Sequence, residues 1–327
     1  MAIVVSASRR SDIPSFYSEW FYERLKAGSV DVANPYNPGQ VRHVSLRLED
    51  VACFVFWTRD AGPMLDGISA LDEYAFYFHV TITGYGPPLE PSGPTAGEAV
   101  EKLRALAARV GARRVVWRYD PVLLAGPYDA AWHAENFRRL ADGIGGSVRH
   151  CVVSLYDSYR HSDARLRKAG LMPAHAPEEG LPLMHGPSAG TEVVRTLAGI
   201  ARAKGLPMAF CAEPALAGAV PSERMACIDA RIVRELTARP FSDRKDKNQR
   251  AGCICIESVD IGSYGTCPRG CLYCYANRRQ TVKGRWLLRR PGCQEARRSR
   301  STWTNSEKPA PDLRDVTKWG RCATSSR

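Results

Sequence analysis

The chain has 327 residues, 44% of them hydrophobic, 24% charged and 9% aromatic, a composition that excludes a largely disordered chain and suits one large core or two modest ones. No run of eighteen apolar residues occurs, which excludes a transmembrane helix. The net charge of +12 is local: residues 278–327 hold fourteen Lys/Arg against four Asp/Glu, so residues 1–277 carry thirty-two against thirty and offer nucleic acid no charged surface by composition.

The opening MAIVVSASRRSD has an apolar stretch too short for a secretory signal, with its arginines placed after it, so the expectation is a cytoplasmic protein without a targeting segment. From there, short runs rich in β-branched and aromatic residues predict strands at 2–6, 52–57, 76–82, 114–119, 151–156 and 207–212. Helical patterns fill the intervals. Thr95 and Glu98 form a capping box ahead of Val100, Leu103, Leu106 and Val110. Trp132, Phe137, Leu140 and Ile144 make a second apolar stripe that ends at Gly145 and Gly146. Val193, Val194, Leu197, Ile200 and Ala201 make a third, closed by Lys204 and Gly205. Strand and helix alternating in this way predict an α/β fold: a TIM-like or partial (β/α) barrel of six to eight parallel strands spanning residues 1–277.

Ligands of parallel α/β folds bind at the carboxyl ends of the strands, and five of the six predicted ends present charge. Arg9, Arg10 and Asp12 follow the first strand, Arg59 and Asp60 the second, Arg118 and Asp120 end the fourth, Asp157 follows the fifth and Glu213 the sixth. The arginines suit a bound carboxylate or phosphate, and the acids suit orienting a substrate or carrying a proton. The same residues equally suit a structural ion-pair network. Period-two alternation in the third strand turns Phe76, Phe78, Val80 and Ile82 to covering helices and Tyr77, His79, Thr81 and Thr83 to the other side. In a barrel that side is the lumen. The Pro/Gly-rich segment 84–97 that follows reads as an ordered surface loop.

Eleven cysteines, an odd number, argue against a secreted disulfide framework. Cys53, Cys151, Cys211 and Cys227 stand singly in apolar or mixed stretches and read as small buried hydrophobes. Five others fall within twenty-two residues, as Cys253 and Cys255 in C-x-C and Cys267, Cys271 and Cys274 in C-x3-C-x2-C. Thiolates crowd like this to hold zinc, Cu(I) or iron–sulfur clusters. Three on one loop leave one iron of a [4Fe–4S] cluster without a thiolate from that loop. Cys253 or Cys255 as a fourth ligand would instead close the cluster, or make a zinc site, for electron transfer or stability.

The stretch from Cys267 to Asn277, CPRGCLYCYAN, resembles the cluster loop of radical S-adenosylmethionine enzymes, including the aromatic residue before the third cysteine. The resemblance implies a [4Fe–4S] cluster on Cys267, Cys271 and Cys274, with S-adenosylmethionine chelating the open iron and reduced to a 5′-deoxyadenosyl radical. It further implies Tyr273 packed over cluster or adenine, and an electron donor such as ferredoxin or flavodoxin. In that superfamily the loop follows the first strand. Here it follows six, so the expectation is a rearranged barrel in which 253–258 forms a further strand feeding the loop. The body also resembles a bacterial family, number 1848 among domains of unknown function, through SASRRSDIPSFY, NPYNPGQV, FWTRD, TITGYG, WRYDP, CAE and KDKNQRAGCICIESVDIGSYGTCPRGCLYCYAN.

Together these assign Cys267, Cys271 and Cys274, with Cys253 and Cys255, to metal. Arg9, Arg10, Asp12, Thr83 and Tyr273 are assigned to the cofactor, and Arg118, Asp120 and Glu213 to catalysis. The basic segment 278–327 reads as a tail suited to an acidic partner such as nucleic acid, and equally to a solvated extension.

Overall fold

The computed structural model describes residues 1–171, 189–220, 222–223, 225–250 and 252–277. The expected boundary at 277 and the basic tail lie outside the described residues. In chain order the elements begin β1 (Ile3–Ala7), α1 (Ile13–Phe16), α2 (Ser18–Ala27), β2 (Ser29–Ala33), β3 (Val41–Ser45), β4 (Val51–Thr58), α3 (Gly62–Leu65) and β5 (Phe76–Thr81). They continue α4 (Ala96–Val110), β6 (Val115–Val122), α5 (Ala130–Ile144), β7 (His150–Leu155) and α6 (Arg160–Lys168). The remainder are α7 (Ala189–Ala203), β8 (Met208–Phe210), α8 (Pro214–Ala219), α9 (Ala230–Leu236) and β9 (Val259–Asp260).

Seven strands form one sheet in the order β8-β7-β6-β5-β4-β1-β9, with every pairing parallel. All six strands read from the sequence are present. Among the described residues no ladder joins β8 to β9, so of the expected barrel the structure shows a mixed α/β fold with a seven-stranded all-parallel sheet and does not show closure. The further strand falls at Val259–Asp260 rather than 253–258. The reason lies in the backbone partners: the Cys255 carbonyl accepts from Asp246 N–H at 2.9 Å and Ile256 N–H donates to Ile228 at 3.1 Å, so these groups are not available to β1. The β2–β3 hairpin, antiparallel and separate from the sheet, adds a feature the reading did not include.

Alternation decides what each sheet face meets. Phe54, Phe56, Phe76, Phe78, Trp117, Tyr119 and Val153 share one core with Phe21 of α2, Leu103 and Leu106 of α4, Phe137 and Leu140 of α5, and Val194 and Leu197 of α7. The interleaved Val4, Cys53, Val55, Tyr77, Val116 and Val152 pack on the other face against Ile228, Ile232 and Val233 around α9. The capping box forms as expected, with Glu98 N–H on Thr95 Oγ1 at 3.3 Å and Thr95 N–H on Glu98 at 2.7 Å. No described helix is long and apolar enough to cross a membrane.

Candidate functional site

The cysteine loop starts where β9 leaves β1. Asp260 gathers this corner: its carboxylate accepts from Ser6 Oγ at 2.6 Å, Arg9 N–H at 2.8 Å and Gly262 N–H at 2.9 Å. Position 262 must be glycine, because a Cβ there would lie 2.0 Å from Ser8 Oγ. The loop is then held mainly by its backbone. Arg165 of α6 donates to the carbonyls of Leu272 at 3.0 Å, Cys274 at 2.7 Å and Asn277 at 2.8 Å. Tyr17 donates to Thr266 O at 2.5 Å, and Leu272 N–H to Leu89 O at 2.9 Å. These bonds shape the loop without using its thiols.

The three thiols lie close enough to act on one another. Burial pushes Cys267 and Cys271 up to about 11, and burial followed by the neighbouring Cys271 raises Cys274. Backbone N–H groups of Arg269 and Asp12 serve Cys267, and those of Ala276 and Asn277 serve Cys274. Arg59 and Arg269 bring positive charge to Cys271, and Arg165 to Cys274. Amides and cations directed at sulfur favour thiolates, so the donor set fits a cluster that binds as thiolate. As free thiols they form no ready cage: among the described residues no three His, Cys, Asp or Glu side chains are placed to hold a metal ion.

Beside the loop, β4, β5 and Tyr273 meet in one polar network. Arg59 donates to Tyr273 Oη at 2.8 Å and Thr83 Oγ1 at 3.1 Å, and pairs with Glu90. Glu90 also accepts from Thr83 and, at 2.5 Å, from Tyr273. Burial works against the Arg59 charge, but Tyr273 and Glu90 outweigh it and keep the guanidinium charged. Burial likewise raises the Tyr273 hydroxyl, which stays protonated and donates.

The other expected residues divide by their partners. Asp12 caps α1 through Ser15 N–H at 3.1 Å and accepts from Arg59 N–H at 3.0 Å, so its carboxylate is committed to joining turns. Arg9 donates to Ser258 at 2.8 Å and lies over Trp57, and its carbonyl accepts from Tyr275 at 2.7 Å. Arg10 sits 3.9 Å from Asp260 and over Tyr264. Arg118, Asp120 and Glu213 come together at the ends of β6 to β8: Arg118 pairs with Asp120, which accepts from Ser154. Glu213 accepts from Leu155 N–H at 3.0 Å. Burial, reinforced by Asp120 and opposed by that amide, raises the Glu213 carboxyl to about 7.

Cys253 and Cys255 belong to a different core from the loop: they pack with Cys227 on the α9 face, whereas Cys271 packs with Tyr85, Leu123 and Tyr273. The sequence reading missed Glu90, Arg165 and Arg269 as site residues. For Glu90 a signal existed, since it is the one charged residue between 84 and 97. A surface hollow of about 370 Å³ lies behind Arg269, between Phe16 and Pro94, and its Lys102 and Asp60 pair with each other at 2.6 Å.

No curated protein matches the chain. The family model described as a domain of unknown function, DUF1848, matches residues 4–276, from the first strand through the cysteine loop, and the chain therefore belongs to that family.

Proposed function

We propose that this protein is an iron–sulfur enzyme of the radical S-adenosylmethionine kind, with Cys267, Cys271 and Cys274 as ligands of a [4Fe–4S] cluster whose fourth iron is left for S-adenosylmethionine. The observation that carries the reading is the loop itself. Its three thiols share one backbone-clamped turn with amides and arginines directed at sulfur, while Cys253 and Cys255, the candidates for a closing fourth thiolate, stand with Cys227. When bound, the cluster supplies the electron for reductive cleavage of S-adenosylmethionine, drawn from a ferredoxin- or flavodoxin-type donor.

The chain's own residues supply the setting. Arg59 and Glu90 fix Tyr273 against the loop and exclude water from that side. Asp12 and Thr83 act by positioning, because their oxygens are bonded to Arg59. Arg9 and Arg10 at the end of β1 offer positive charge to a carboxylate. Arg118 and Asp120 orient a substrate at the end of β6, and Glu213 carries a proton near neutral pH. All nine described cysteines are free, which suits a reducing compartment such as the cytoplasm.

Anaerobic reconstitution followed by EPR of the dithionite-reduced protein tests the reading. The expected result is a [4Fe–4S]⁺ signal with a component that changes on adding S-adenosylmethionine and that is lost in Cys271→Ala, with 5′-deoxyadenosine formed. A signal indifferent to S-adenosylmethionine, or zinc in the loop, would refute it.

A further inference from the structure

Four cysteines meet outside the loop. They come from three distant segments: Cys211 just after β8, Cys227 ahead of α9, and Cys253 and Cys255 ahead of β9. Cys227 Sγ lies 3.2 Å from Cys211 Sγ. Cys255 Sγ accepts from the N–H of Ile228, next to Cys227, and Cys253 Sγ from the Cys255 N–H, so the four cysteines gather in one buried cluster and act on one another electrostatically. We propose that Cys211, Cys227, Cys253 and Cys255 form a second site, a four-thiolate seat for a soft metal centre, separate from Cys267, Cys271 and Cys274.

Three features favour a metal over chance packing. Donors converge on the sulfurs: Arg118 Nη1 on Cys227 at 2.8 Å, Ile228 N–H on Cys255 at 3.4 Å and Cys255 N–H on Cys253 at 3.5 Å. Such donors serve thiolates well and the sulfurs of a disulfide poorly. Positive charge is also at hand. A divalent centre on four thiolates carries two negative charges, and the guanidiniums of Arg118 and Arg9, shared with Asp120 and Asp246, act on this group. Finally, the Cys211–Cys227 spacing is near what a metal requires. Sulfurs around one zinc at about 2.3 Å stand roughly 3.8 Å apart. As thiols Cys211 and Cys227 touch more closely and the four enclose no ready cage, so loading spreads that pair by about half an ångström and brings Cys253 and Cys255 in around the ion. The step is M²⁺ + 4 RSH → [M(SR)₄]²⁻ + 4 H⁺ for a single ion.

The placement gives the site a purpose. β8 and β9 end the order of the seven-stranded sheet, β8 being bridged at Ala209 to Glu223, and the segment that leads to β9 approaches the end of β8 so closely that a Cβ on Gly252 would lie 2.9 Å from Ala212 O. A metal shared by Cys211, Cys227, Cys253 and Cys255 fastens edge to edge and holds the approach to the cysteine loop.

The test uses the full chain with Cys267→Ala, Cys271→Ala and Cys274→Ala, so its outcome does not depend on whether the loop binds a cluster. Purified anaerobically after growth with zinc and iron, this variant is assayed for both metals and for labile sulfide. About one zinc per chain establishes a single-ion site, and about four iron with four sulfide establishes a cluster. Either must vanish on adding Cys227→Ser and Cys255→Ser. Should those variants fail to fold, X-ray absorption at the metal edge of the triple variant decides: a shell of sulfur ligands supports the site, and a nitrogen or oxygen shell overturns it. Absence of stoichiometric metal, or a mass 2 Da lower that marks a disulfide among the four, would also overturn it.

Discussion

Arg165 offers the most direct probe of how the loop is held. Replacing it with Met keeps the aliphatic stem of the side chain and removes three charge-assisted hydrogen bonds, to Leu272 O, Cys274 O and Asn277 O at 2.7 to 3.0 Å. Such bonds are worth about 1.5 to 3 kcal/mol each when buried, but Arg165 is only half-buried, so about 1 kcal/mol apiece is the appropriate figure. Their sum, about 3 kcal/mol, corresponds to roughly a 150-fold shift in the equilibrium between held and open loop. Amide hydrogen exchange in the loop reads that shift in metal-free protein. Arg165→Met should speed exchange across 265–277 by about two orders of magnitude while β4 to β7 remain unchanged. Arg165→Lys, able to keep one carbonyl, should fall between. Unchanged exchange in the loop would show that the clamp does not hold it.

Three further outcomes follow from the same structure. Arg118→Met strands the Asp120 carboxylate and should cost about 3 kcal/mol in urea denaturation, with Asp120 partly reached by water keeping it at the low end. Thr95→Ala removes one half of the capping box on α4 and should cost about 1 kcal/mol by the same assay. Burial pulls His79 down to about 3 and His133 and His150 to about 4 from 6.5, so between those values the unfolded chain binds more protons at each of the three. Stability from them is therefore present above pH 6.5 and falls on acidification, by up to about 1.4 kcal/mol per pH unit for each, with the raised Glu213 carboxyl offsetting one of them. His150→Phe should lower the slope by about 1.4 kcal/mol per pH unit in urea titrations between pH 6 and 5, and an unaltered slope would remove His150 from the account.

The six main strands were legible because each is a short run rich in β-branched or aromatic residues, and in the third the alternation of Phe76, Phe78 and Val80 against Tyr77 and His79 also foretold the two faces that the sheet gives them. The hairpin escaped because SVDVA and VRHVS are short and bury only Val30 and Val44, so burial leaves little trace in them. β9 escaped its place because two residues are too few for a pattern. The loop cysteines were legible because a single loop binds them and spacing is local. Cys211 and Cys227 were read as inert hydrophobes because only the return of the chain past β8 joins them to Cys253 and Cys255. Arg165 looked like its neighbours Arg160 and Arg167, and nothing but the position of α6 sets it apart.

The pairing of β9 with β1 also orders events in time. Ser6 and Asp260 lie 254 residues apart, so the corner they form cannot appear until nearly all of the described chain has emerged from the ribosome. β4 to β7, whose neighbours in the sheet are neighbours in sequence, have no such wait. The cysteine loop is thus delivered to a scaffold already largely assembled, and its thiols meet their arginines and amides last. A nascent chain stalled before residue 260 would carry most of the sheet and none of the three loop thiols.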